Sequence, residues 1–407
     1  MKINMEKLLA ALLIITPIVD NINGLTMKYL DKSFIGPVFK VLVIILMSMI
    51  FLAKKNVDNK KKILYFLVVF LYFIWLTLMY SFNTYDGDNL NFSFKFIYPI
   101  LYYIVLCELV SKFQIRLEKF KKYIIWMISI YSIFIYLTVV FRYQYFDYKS
   151  GYTGFVYGWN ELVIAYLTGA CILIKEKKFY IVLFNIIAYV VMVSKSIFIF
   201  IPVFTICYLI YHKVNIKKII LLSVFVLITG GILMYSSAYQ KFYSYNSEFI
   251  TNYSEIYTND SQDFFSRLTY GRSKFLNIFF SNISLKSKEE SLIGSGSKAS
   301  SYVPDSTAGG TEMDPFDAFN NFGVIGLIIY IFFYIIKGLK TSKGIEKYIM
   351  LVVICFSIFG GHLFAHSTSN FVYANVIVYL WYRNKISNKS LACKHMLYNK
   401  KREVIGL

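Results

Sequence analysis

The sequence has little charge and few structural breakers. Only 16% of its 407 residues are Asp, Glu, Lys or Arg, against about 25% in a soluble globule. That shortage excludes a water-exposed globular surface. With 57% apolar residues and a mean hydropathy of +0.55, it implies an integral membrane protein. Cysteine occurs five times (Cys107, Cys171, Cys207, Cys355, Cys393), always in an apolar run or the C-terminal tail, so no disulfide framework is expected. No Gly-x-Gly-x-x-Gly, P-loop, heptad array or internal repeat occurs, and no HExxH accompanies His362 and His366. Neither a metal nor another cofactor is expected.

What is present is apolar sequence cut to membrane length. Runs at about 8–20, 36–52, 63–80, 95–110, 123–141, 160–174, 179–193, 197–211, 219–235, 321–336, 348–364 and 371–382 predict an all-α polytopic protein of about twelve spans. The N-terminal LLAALLIITPIV lacks an A-x-A site and leads at once into further spans, so it reads as a retained helix. Every second connection is rich in Lys, as in KKNVDNKKK (54–62) and HKVNIKK (212–218). This positive-inside alternation puts both termini in the cytoplasm. The net charge of +20 therefore reflects membrane insertion and implies no nucleic-acid partner. The chain divides into spans one to nine (1–235), one long polar loop outside the membrane (236–320), three further spans (321–382) and a basic cytoplasmic tail (383–407).

One run tests the count. As a single helix, Phe179 to Tyr211 would be about 50 Å long, beyond the roughly 30 Å of a hydrocarbon layer. Basic turns at both ends require an even number of crossings, so the chain is expected to fold back at Ser194-Lys195-Ser196, with Lys195 at the tip.

Candidate chemistry gathers on the outer connections. Arg267 and Arg272 lie in RLTYGR, where guanidinium groups suit phosphate oxygens. On one regular helix they would stand roughly 140° apart, and Gly271 between them could interrupt it. Lys195 between two short apolar arms calls for an anionic partner. Glu312, Asp314 and Asp317 precede a span and could supply a general base for a sugar hydroxyl, or simply favour a helix N-terminus. Asn160 and Glu161 open the sixth span, and Glu161 needs a partner for which Lys195 or a loop Arg would serve. His362 and His366, four apart, would share a helix face and bond substrate or neighbouring helices. A helix over about 262–285, with Phe264, Leu268, Phe275 and Phe279 in one stripe, would suit the membrane surface.

In order, GYTGFVYGWNE, VSKS around Lys195, RLTYGR with LIGSGS, and EMDPFDAFNNFGVIG resemble segments of the O-antigen polymerase and O-antigen ligase-like family. The resemblance covers nearly the whole chain as topology and only these patches as motifs. Glu312 and Asp314 stand where ligase members commonly carry a His-Asn pair, which favours polymerase, and no paired R-x(10)-G motif occurs at Arg267 or Arg272. The resemblance implies the architecture of the membrane-embedded GT-C glycosyltransferase class. It also implies polymerisation of polyprenyl-diphosphate-linked oligosaccharide repeat units, one as donor and another as acceptor, outside a bacterial cytoplasmic membrane, for capsule, O-antigen or exopolysaccharide. The expected catalytic residues are Glu312, Asp314 and Arg267. Arg272, Lys195, Asn160, Glu161, Asp317 and His362 would bind diphosphate and glycan, and a flippase and a chain-length regulator would be partners. Rival readings are a ligase for finished glycan, a flippase or transporter, and a scaffold.

Overall fold

A computed structural model describes residues 4–31, 34–81, 87–145, 151–192, 194, 196–213, 272–303, 311–364 and 366–405. Among these residues the regular structure is helical, with no strand. The helices are α1 (Met5–Leu30), α2 (Ile35–Ala53), α3 (Asn59–Ser81), α4 (Gly87–Lys112), α5 (Leu117–Val140), α6 (Trp159–Leu173), α7 (Phe179–Val191) and α8 (Ile197–Tyr211). After the undescribed stretch come α9 (Arg272–Asn282), α10 (Lys288–Ile293), α11 (Asp314–Thr341), α12 (Ile345–Gly360) and α13 (Ser367–Ile405).

Six of these helices are long and apolar enough to cross a membrane: α1, α2, α3, α5 and α11, together with Ser93–Lys112 of α4. The predicted ninth span, 219–235, lies outside the described residues. Every other predicted span falls on a helix.

Each helix follows its own pattern. α6 is apolar all round and buried at every position from Leu162 to Leu173, as expected of a central helix. It packs against α5, α12 and α13. α3 is the opposite case, with Met79 its one buried residue, so its apolar flank is left for lipid. The run from Phe179 to Tyr211 breaks as expected into two helices. Ring contacts of Phe179 with Tyr208 and of Tyr189 with Phe200 make α7 and α8 an antiparallel hairpin. In lipid, such contacts depend on close packing and interhelical hydrogen bonds, each worth about 0.6–2 kcal/mol.

Two expected boundaries shift. The eleventh span, predicted over 348–364, stops at Gly360 because Gly361 takes a positive φ of 63° that ends α12. The two histidines therefore sit in the α12–α13 connection rather than on one helix. Within the expected surface helix 262–285, the described part is α9 and the short turn Ile283–Leu285. Its Phe275 and Phe279 are buried in a cluster with Tyr302 and Val303, flanked by Phe316 and Phe319 of α11. Protein rather than lipid covers these two members of the stripe, while Phe264 and Leu268 lie outside the described residues.

The two ends of the bundle differ. At one end, the basic end, Lys175 and the two-pronged guanidinium of Arg383 close on the fully buried Glu346. This ties the C-terminus of α6 to α12 and α13. Burial pulls the Lys175 pKa down against the pull of Glu346. The other end carries α9, α10 and the acidic start of α11, and is called the loop end below.

Candidate functional site at the loop end

The loop end is assembled on α11. Gly323 takes a φ of 65° inside that helix and breaks it, leaving room for a second backbone. A Cβ at Gly323 would stand 2.3 Å from the carbonyl oxygen of Leu292, and one at Gly294 would stand 2.2 Å from that of Asn321. The LIGSGS segment is thus pressed against the break. Ser295 donates its N–H to the Asn320 carbonyl at 3.0 Å, and Trp75 of α3 donates to the Ile293 carbonyl at 2.9 Å. Lys286 completes the dock. Its ammonium donates to Ser295 Oγ at 2.6 Å and to the Asn320 carbonyl at 3.1 Å, and lies 4.4 Å from the centre of the Tyr302 ring. Burial lowers its pKa to about 8, against the pull of the Glu290 carboxylate.

This docking brings together residues from both sides of the loop. Arg272, first in α9, meets Glu312 through two nitrogens, Nε at 3.1 Å and Nη2 at 3.0 Å. Glu312 holds a left-handed φ of 55°, and its carbonyl oxygen is so close to Gly361 that a Cβ there would stand 2.4 Å away. His362 follows, also left-handed at φ 72°. Neighbouring non-glycine residues in this conformation are uncommon and cluster at functional sites. The rings of His362 and His366 lie 4.7 Å apart, and His366 Nδ1 meets Glu161 Oε1 at 3.1 Å.

From Glu161 the chain of contacts turns into the bundle. Glu161 Oε2 accepts the backbone N–H of Thr368 at 3.2 Å, so this carboxylate of α6 caps the N-terminus of α13. Thr368 Oγ1 in turn donates to Asp20 Oδ2 at 3.0 Å. Tyr131 donates to the same oxygen at 2.6 Å, and Lys40 meets Asp20 Oδ1 at 2.8 Å, with both charged side chains almost wholly buried. Asn370 donates to the Lys95 carbonyl at 3.3 Å. That carbonyl is available because its usual helical donor, four residues on, is Pro99, which has no N–H.

The expected site residues fall into distinct places. Arg272, Glu312, Glu161 and His362 lie along the path just described. Asp314 is buried beside it, where its Oδ2 accepts from Ser357 Oγ and from the N–H of Leu363 at 2.9 Å. Asp317 accepts from the N–H of Thr311 at 2.6 Å and from its hydroxyl at 2.9 Å, holding the turn that presents Glu312. Asn160 is half-buried in the first turn of α6, with no side-chain hydrogen bond among the described residues. Arg267 and Lys195 lie outside the described residues. The serines flanking Lys195 bond each other at 2.7 Å, and Ser196 also bonds Tyr189.

Glu161 was expected to pair with Lys195 or a loop arginine. Lys195 and Arg267 lie outside the described residues, Arg272 pairs with Glu312, and among the described residues the hydrogen-bond partners of Glu161 are His366 and Thr368. The α12–α13 connection carries these donors onto the start of α6. Sequence reasoning also left out Asp20, Lys40 and Lys95 as site members. A signal existed for Lys40, a basic residue well inside a predicted span. No family model matches the chain, and no curated protein matches it.

Proposed function

We propose that the chain is a membrane-embedded glycosyltransferase of about twelve spans, with the GT-C type of architecture. It polymerises polyprenyl-diphosphate-linked oligosaccharide repeat units on the outer face of a bacterial cytoplasmic membrane. The observation that carries this reading is the pairing of two Arg272 nitrogens with Glu312, whose backbone carbonyl lies against Gly361. A cation for a departing diphosphate and a carboxylate for an incoming hydroxyl stand side by side at the loop end. In this reading Arg272, with Arg267 and Lys195, holds the diphosphate, and Glu312 accepts the proton of the acceptor hydroxyl. Asp314 and Asp317 shape the turn around Glu312, while Asn160, Glu161 and His362 line the glycan path. The electrostatic work falls to the cations, with no metal.

Purified protein incubated with lipid-linked repeat units is expected to yield a ladder of longer glycans. Arg272→Ala should slow extension by about a hundredfold, the scale of losing one charge-stabilising donor. Adding Glu312→Ala to that variant should leave it slow. Recovery of extension in the double variant would show the pair to be structural and would overturn the assignment. Long glycan moved to a different acceptor, with no ladder, would indicate a ligase.

A second reading, a flippase or transporter for the same lipid-linked unit, is favoured by one observation. Asp20 and Lys40 form an ion pair buried between helices, where transporters keep charged residues. Translocation of repeat units across proteoliposomes without bond formation would select it.

A further inference from the structure

We propose that Lys95 and Tyr98 of α4 form an oxyanion-binding site inside the bundle at its loop end, taking the phosphate oxygens of a phosphorylated lipid. The two residues are one helical turn apart and so share a face. Tyr98 is 2% exposed, and its hydroxyl makes no hydrogen bond among the described residues. The other tyrosines among the largest fully buried side chains are all satisfied. Tyr102 bonds Asn375, Tyr131 bonds Asp20, Tyr189 bonds Ser196, Tyr330 bonds Ser357, Tyr334 bonds Asn370 and Tyr373 bonds the Tyr334 carbonyl.

Lys95 shows the same contrast. It is half-buried, and its ammonium has neither hydrogen bond nor ion pair among the described residues. Lys40, Lys175 and Lys286 bond Asp20, Glu346 and the Ser295–Asn320 pair respectively, and the half-buried Lys337 lies over the Tyr103 ring. The charges acting on Lys95 are Glu161 and Lys40, while Asp20 acts on Tyr98. Both nearby carboxylates are already engaged. Glu161 uses one oxygen for His366 and the other for Thr368, and Asp20 uses one for Lys40 and the other for Tyr131 and Thr368.

Among the described residues these two donors have no acceptor, in an interior where an unpaired cation is costly. An oxyanion supplies what is missing, and an ammonium is a good point-charge ligand for phosphate. The backbone under the ammonium is anchored by the bond from Asn370 to the Lys95 carbonyl, so the site is held in place before a ligand arrives. The oxyanion chemistry stands on these residues alone. Its source as the lipid-linked substrate rests on the function proposed above.

The test uses the full chain in phosphatidylcholine nanodiscs and three probes: a polyprenyl monophosphate, inorganic phosphate and phosphatidylglycerol. The wild type is expected to bind the polyprenyl phosphate, Lys95→Met to bind it at least tenfold more weakly, Tyr98→Phe severalfold more weakly, and Lys95→Arg nearly as well. Without ligand, Lys95→Met should unfold at a higher temperature, because it removes an unpaired buried charge. Lys95-dependent binding of inorganic phosphate or phosphatidylglycerol at equal strength supports the site and changes its source. Unchanged binding of all three probes by Lys95→Met overturns the site. So does a lowered unfolding temperature, which would reveal a partner for the ammonium. Lys95-dependent binding in a protein that extends no glycan leaves the site and removes the polymerase reading. Glycan extension by a protein whose phosphate binding ignores Lys95 does the reverse.

Discussion

At the scale of single residues, the buried pair of Asp20 and Lys40 sets the clearest expectation. Among the described residues Lys40 has Asp20 as its acceptor, whereas Asp20 keeps donors from Tyr131 and Thr368 if Lys40 is lost. Breaking a buried ion pair from one side costs about 3–5 kcal/mol, and replacing both partners with apolar groups is often close to neutral. Asp20→Leu should therefore lower the unfolding temperature of the purified protein more than Lys40→Met does, and the double variant should recover most of the loss. A double variant as unstable as Asp20→Leu alone would show that the two residues do not act as a unit. Little of this pair was legible in the sequence. Lys40 stood out as a charge within a span, but nothing in the periodicity of α1 or α2 says which helix faces it. Glu161 shows the same limit, since its need for a partner followed from burial while the identity of His366 followed from packing.

At the scale of elements, the break in α11 at Gly323 organises the loop end. A side chain there meets both an unfavourable φ and the Leu292 carbonyl at 2.3 Å. Gly323→Ala should loosen the docked segment around Lys286, Lys288 and Ser295, and trypsin should then cut at the two lysines severalfold faster. Gly344 is the fitting control, for its φ is also positive at 57° but no atom lies within 4 Å of an added Cβ. Gly344→Ala should leave the cleavage rate of the loop unchanged. Equal cleavage in both variants and the wild type would mean that the glycine contact does not hold the loop. Here the sequence was partly readable. In the sequence, Gly323 and Pro315 beside the span mark where the chain's entry is fixed, and the apolar stripe of Phe275 and Phe279 is visible at helical spacing. What covers that stripe was not visible, because a helical period is the same whether lipid or the Tyr302 and Phe319 rings lie against it. The end of α12 was missed for a related reason. Apolar residues continue through Leu363 and Phe364 after the backbone has turned at Gly361.

At the scale of the whole molecule, charge bears on which way the bundle faces. The helical class and the placement of the described helices were largely legible, since lipid forces backbone polar groups to bond within each crossing segment and so ties apolar length to helix. Direction rests on charge alone. Lys54, Lys60, Lys61 and Lys62 lie at one turn, and Lys175, Lys177 and Lys178 at another, with Glu346 and Arg383 joined to Lys175. By the positive-inside bias that end is expected in the cytoplasm and the Arg272–Glu312 end outside. In a background with the native cysteines replaced by serine, a cysteine at the exposed Leu285 should react with a membrane-impermeant maleimide in intact cells. A cysteine at the exposed Lys60 should react only after the membrane is permeabilised. The reverse pattern would place the loop end in the cytoplasm. It would remove the polymerase reading, which needs that end outside, whereas oxyanion binding by Lys95 and Tyr98 would be unaffected, because it depends on the interior of the bundle and not on the side from which a ligand enters.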